Sequence, residues 1–65
     1  MQERNDTPAT ALWIAAANGD LETVARLLAE GVDVNVWDRR GRTALSFAAG
    51  GNHLEIALDL LRAGA

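Results

Sequence analysis

A chain of 65 residues with no cysteine, one histidine and a formal net charge of −3 excludes several chemistries at the outset. No disulfide can staple it, a zinc site of the usual kind lacks its ligand set, and the acidic balance argues against general binding to nucleic acid. A single core of this size supplies only about 3–5 kcal/mol, so neighbours or partners are expected.

The longest apolar run is the seven residues Ala11–Ala17, too short for a membrane span or a signal-peptide core. No membrane association and a cytoplasmic location are the resulting expectations. Displacing the sequence by 33 places brings Thr10 onto Thr43 and leaves ten identities among the 23 pairs that run to Val32/Ala65. Chance would leave about one or two, so the chain is an internal repeat.

In chain order, residues 1–7 are polar and without periodicity, the composition of a frayed terminus or of a short flap over the open side of the first unit. Pro8 disfavours helix at Thr7 and marks the entry. Thr10 is placed to cap a helix through its hydroxyl, and Leu12, Ala15 and Ala16 recur behind it at i, i+3 and i+4 as one apolar stripe. Asn18-Gly19 ends that helix. Asp20 is placed to cap a second one, with Glu22 suited to the dipole of the first turn. Leu21, Val24 and Leu28 share a face, with Leu27 beside them, and Gly31 is the stop.

Val32-Asp33-Val34-Asn35-Val36 alternates apolar and polar and reads as extended. Asp38-Arg39-Arg40-Gly41 has the residues of a tight turn, aspartate first and glycine last. Then the unit restarts. Thr43 takes the cap, Leu45, Ala48 and Ala49 form the stripe, and Gly50-Gly51-Asn52 breaks the helix. Leu54, Ala57, Leu58 and Leu61 are expected to face inward, with Gly64 as the stop. The spacing predicts four helices near 10–18, 20–30, 43–50 and 53–63. Each is too short to persist alone, so each pair must pack as a hairpin.

A turn followed by two short antiparallel helices at this period resembles the ankyrin repeat. Thr43-Ala44-Leu45 with Ala48-Ala49, and Thr10-Ala11-Leu12 with Ala15-Ala16, are similar to the family's Thr-Pro-Leu-His-x-Ala-Ala signature. Asn18-Gly19-Asp20-Leu21-Glu22 and Asn52-His53-Leu54-Glu55 resemble its Asn-Gly-His-Leu-Glu turn, and Gly31-Val32-Asp33-Val34-Asn35 its finger. The resemblance covers residues 8 to 65. It implies an all-α helix-turn-helix stack, an α-solenoid with one β-finger or turn between two repeats, 8–37 and 38–65. Alanine stands for the signature proline in both copies. Trp13 and Ser46 stand for the signature histidine, so the histidine hydrogen bonds that link neighbouring repeats in the family are expected to be missing. Pro8 replaces the turn glycine, as suits a first repeat.

Few residues suggest chemistry. Asp33-x-Asn35-x-x-Asp38 has the look of a calcium loop, but Trp37 takes a ligand position and the glycine and distal glutamate are absent. His53 and Ser46 form the one conceivable nucleophile–base pair, with no third group to orient it. Gly50-Gly51 lacks the lysine and the preceding strand of a phosphate loop. No catalytic residue, metal ligand or cofactor site is expected.

Trp37 reads in two ways, as a side chain lying on the flank of its own finger or as a binding anchor, since tryptophan and arginine dominate interface hot spots. Arg39, Arg40 and Arg42 surround it, half of the six arginines in an otherwise acidic chain, which points to an acidic protein partner. The resemblance implies that partners meet the finger tips and the inner face of the first helices. Here those are Trp37, Arg39, Arg40 and Arg42, with Ala17 and Gly50 near the helix ends. Trp13 is expected to pack between the repeats, and Arg26 to face Asp59 across them.

The resulting functional reading is a non-enzymatic protein–protein interaction module. Its rival is a structural self-assembly unit, a homo-oligomer or the opening part of a longer array. That rival rests on the last helix, where Ile56, Leu58, Leu60 and Leu61 leave apolar side chains on too many sides for a face that meets water.

Overall fold

In the computed structural model the chain is described over residues 8–65; the polar flank 1–7 lies outside them. Four helices follow one another, α1 (Pro8–Asn18), α2 (Leu21–Ala29), α3 (Ala44–Gly50) and α4 (Leu54–Arg62), with no strand among the described residues. Each bound lies within two residues of its expectation. The largest difference is at α1, which starts on Pro8. Proline suits a first helical position because its missing N–H would lack a partner there anyway and its φ is already helical. Thr10 therefore sits inside the first turn, not at the cap.

Asp20 caps α2 as its position suggests. It accepts the Thr23 backbone N–H at 3.2 Å and the Thr23 hydroxyl at 2.6 Å. The hydroxyl bond, then the N–H bond, then the attraction of Arg26 outweigh a small desolvation and hold the Asp20 carboxyl below its ordinary range. Thr43 stands at the cap of α3 with an extended backbone, yet its side chain makes no capping bond. The helix ends follow one pattern. After α2, Val32 N–H donates to Leu27 O at 3.2 Å and Gly31 N–H to Leu28 O at 3.1 Å, with Gly31 in the left-handed region at φ 87°. After α3 that conformation falls to Asn52 (φ 62°), not to Gly50 or Gly51. Asparagine is among the few side chains that tolerate it.

The helices form two antiparallel hairpins lying side by side, α1 against α3 and α2 against α4. The core between them is Leu12, Ala15, Ala16, Val24, Leu27, Val34, Ala44, Ala48, Ile56 and Leu60. Equivalent residues of the two repeats are not equally buried. Leu12 and Ala16 are buried whereas Leu45 is half-buried and Ala49 exposed. The second hairpin covers that face of the first, and no described element covers the same face of the second.

This asymmetry corrects two expectations. Leu54, Leu58 and Leu61 do not face inward; Leu54 is 64% exposed and the other two about half. Ile56 and Leu60, expected on an associating surface, are buried in the core and unavailable to a partner. They lie four apart, so they share one face of α4, and that face is the one turned to the rest of the molecule.

Residues 32–36 form a turn at Val34-Asn35 rather than a strand. Asp33 Oδ1 accepts the Asn35 N–H at 3.0 Å, a local bond that competes with extended pairing. The alternation is still expressed in burial, with Val34 buried, Val32 and Val36 half-buried, and Asp33 and Asn35 exposed. Asn35 Nδ2–H also donates to Gly64 O at 3.3 Å, tying this loop to the end of α4.

Two cross-repeat expectations also change. Asp59 pairs with Arg62 of its own helix at 3.6 Å, and no ion pair among the described residues joins it to Arg26; the i,i+3 neighbour is nearer than the next hairpin. A histidine link does exist, from a different position. His53, at the cap of α4, has its ring between Gly19 and Gly51, where an added Cβ would stand 2.7 Å and 2.6 Å from ring atoms. His53 Nε2 lies 3.2 Å from Ala17 O, to which the Nε2–H tautomer donates.

Candidate functional site

The finger between α2 and α3 is held by Asp38. Its backbone N–H donates to Arg42 O at 2.8 Å, and Gly41 N–H donates back to Asp38 O at 3.0 Å, closing the expected turn with Gly41 at φ 77°. Asp38 Oδ1 accepts the backbone N–H groups of Arg40 and Arg42, each at 2.8 Å. Oδ2 accepts Nε–H of Arg42 at 2.8 Å. Desolvation pushes this carboxyl up, but the bonds from Arg42 and Arg40 and the charge of Arg42 together outweigh it and leave the group below its ordinary range. The carboxylates of Asp33 and Asp38 are thus turned onto their own loops, as turn-forming aspartates are.

Arg42 continues inward. Its Cζ lies 4.6 Å from the centroid of the Phe47 ring, a cation–π distance. Phe47 in turn stacks on Trp13, with centroids 6.5 Å apart and planes at 28°. Trp13 Nε1–H donates to Val36 O at 3.2 Å, returning the chain of contacts to the finger. Trp13 therefore packs between the repeats as its sequence position suggests. Phe47 went unnoticed in the sequence. The signal was its match to Ile14 at the 33-residue offset, an apolar pair lying beside the stripe rather than in it.

These contacts line a groove of about 650 Å³ between the finger and the inner helices α1 and α3. Ile14 and Phe47 form part of its apolar wall, and Trp37, Arg39 and Arg40 its finger side. Of the residues expected to meet a partner, Trp37, Arg39, Arg40, Arg42 and Ala17 line it; Gly50 does not. Trp37 is 70% exposed, so most of its side chain is open to solvent. Arg42 is already engaged by Asp38 and Phe47, whereas Arg39 and Arg40 form no ion pair among the described residues. No group of three or more His, Asp or Glu among them could hold a metal ion, and no helix among the described residues is long and apolar enough to cross a membrane.

Stacked helical hairpins with a projecting finger and a groove on the inner face define a helical repeat protein of the solenoid class. The family model for ankyrin repeats in many copies matches residues 12–61, and the chain belongs to the ankyrin-repeat family. It is 50% identical over 49 residues to an ankyrin repeat protein of Rickettsia felis, covering 75% of this chain and 76% of that protein. It is 39% identical over 54 residues to ankyrin repeat domain-containing protein 39 of Homo sapiens, covering 83% of this chain but 30% of that one. A palmitoyltransferase of Schizosaccharomyces pombe is 44% identical over 55 residues, which is 9% of its length. An enzyme name attached to so small a share transfers no chemistry to this chain. Ankyrin repeats generally mediate protein–protein interaction and are generally non-enzymatic.

Proposed function

We propose that residues 8–37 and 38–65 act as a two-repeat protein-binding module whose groove receives an acidic protein partner. The observation that carries this reading is Trp37, 70% exposed, beside two arginines that have no counter-charge among the described residues, on a chain of net charge −3. An exposed aromatic with arginine neighbours is the composition of an interface hot spot, and a positive patch on a negative molecule orients an acidic partner toward that patch. The test is selection of ligands from a displayed random-peptide library. Selected ligands are expected to be acidic and to bind Trp37→Ala more weakly by about 2 kcal/mol, roughly thirtyfold. Ligands that are basic, or that bind the variant equally well, refute the reading.

A second reading has its own observation. Leu54, Leu58 and Leu61 leave large apolar side chains exposed on α4, and a second copy could cover them about a two-fold axis. Sedimentation across a wide concentration range decides. Association abolished by Leu58→Glu with Leu61→Glu supports it, and a folded monomer at all concentrations removes it.

A further inference from the structure

We propose that the groove is shaped for one ligand chemistry, a short segment of another protein in which a large apolar side chain adjoins carboxylates. The apolar group lies against Trp37 and Ile14, and the carboxylates meet Arg39 and Arg40. This rests on the groove being the place where a partner binds.

The inference comes from separating the side chains that are already engaged from those that are not. Trp13 and Arg42 line the groove but belong to its frame. Trp13 gives its indole N–H to Val36 O and stacks on Phe47. Arg42 is held by Asp38 and lies over the same ring. Drawing either toward a ligand would undo the contacts that seat the finger on α1 and α3. The other groups have no such duty. Trp37 is exposed and its indole N–H has no partner among the described residues, while Ile14, 53% exposed, contributes an apolar wall from α1. Arg39 engages nothing among them, and Arg40 is held only through its backbone N–H.

The two sets of free groups ask for different things. A purely apolar ligand would cover Trp37 while desolvating two guanidinium groups without a counter-ion, which is unfavourable. A purely acidic ligand would meet the arginines in water, where exposed ion pairs contribute little, and would leave Trp37 and Ile14 wet. A segment carrying both satisfies both, and the apolar contact excludes water from the neighbouring ion pairs, which strengthens them. Arg42, its charge matched by Asp38, contributes to the finger's shape rather than to the ligand.

The two indole N–H groups make the test direct, because nuclear magnetic resonance reports each separately. Three synthetic peptides are titrated into the full chain: a leucine flanked by aspartates and glutamates, the same peptide with serine for leucine, and the same with amides for the acids. The first is expected to shift the Trp37 indole signal far more than that of Trp13, and to bind at least about tenfold more tightly than either control. Its affinity should fall with added salt. Arg39→Gln with Arg40→Gln should erase the difference between acid and amide peptides, and Trp37→Ala that between leucine and serine peptides. Equal binding of either control overturns the inference, although a Trp37 shift in that case leaves the groove reading standing. Trp37 unmoved by all three peptides also overturns it, and the groove reading then depends on whether library-selected ligands require Trp37. A Trp37 signal that moves with protein concentration alone means that a second copy fills the groove, which overturns it as well.

Discussion

Leu60 and Leu61 are chemically identical neighbours with opposite surroundings. Leu60 is 0% exposed in the core and Leu61 50% exposed on the outer side of α4. Truncating a buried leucine to alanine removes three carbons, about 2–2.5 kcal/mol of transfer free energy at roughly 0.8 kcal/mol per methylene. It also leaves a cavity, which brings the usual total to about 3–4 kcal/mol. At Leu61 about half of the transfer term applies and no cavity closes over, so the loss is about 1 kcal/mol. A domain of this size holds only about 3–5 kcal/mol, so Leu60→Ala should leave the chain barely folded. Leu61→Ala should keep a cooperative transition, its urea midpoint lowered by about 1 M. Urea titration followed by far-ultraviolet circular dichroism at several protein concentrations makes the comparison. Equal losses for the two variants at every concentration would refute the burial pattern on which the reading of α4 rests.

The two tryptophans should separate in the same assay. Trp13→Ala loses a stacked ring and a hydrogen bond and should cost about 2 kcal/mol or more, while Trp37→Ala should change stability little; the reverse order would contradict their placement. Gly51→Ala should destabilise by about 1–2 kcal/mol because its Cβ meets the His53 ring. In a His53→Ala background it should be neutral or slightly stabilising, since the Gly51 backbone (φ −93°, ψ 3°) suits alanine. Simple additivity in that double-mutant cycle would show that the ring does not occupy the slot. Asp38 has a folded-state carboxyl pKa below its ordinary 3.8, so its contribution is fully present above that value and is lost as pH falls through the lower folded one. Asp38→Ala should therefore be less stable near neutrality and show a flatter acid limb below about pH 4; acid limbs parallel to those of the native chain would remove Asp38 as a source.

The repeat, the four helices and the finger turn were legible in the residues because each depends on short-range pattern. A 33-residue self-match needs no coordinates. Asp20 caps α2 through Thr23, three residues away, and the Asp38–Gly41 turn closes within four residues. The faces of α4 were a different matter. Apolar side chains fill six of its nine positions, Leu54, Ile56, Ala57, Leu58, Leu60 and Leu61, so more than one apolar stripe can be drawn around it. Only the neighbouring hairpin decides which of them is covered.

The same holds for contacts between distant residues. Phe47 meets Trp13 across 34 positions, and His53 lies between Gly19 and Gly51 with its Nε2 near a carbonyl 36 residues away. Nothing local marks such partners. Arg39, Arg40 and Arg42 look alike as a run of arginines, yet Asp38 and Phe47 engage the guanidinium group of only the last of them. Charge and residue type are properties of the sequence. Which charge is matched and which aromatic is left bare depends on what the fold brings beside each, because hydrogen bonds, ring contacts and desolvation act over a few ångströms of space.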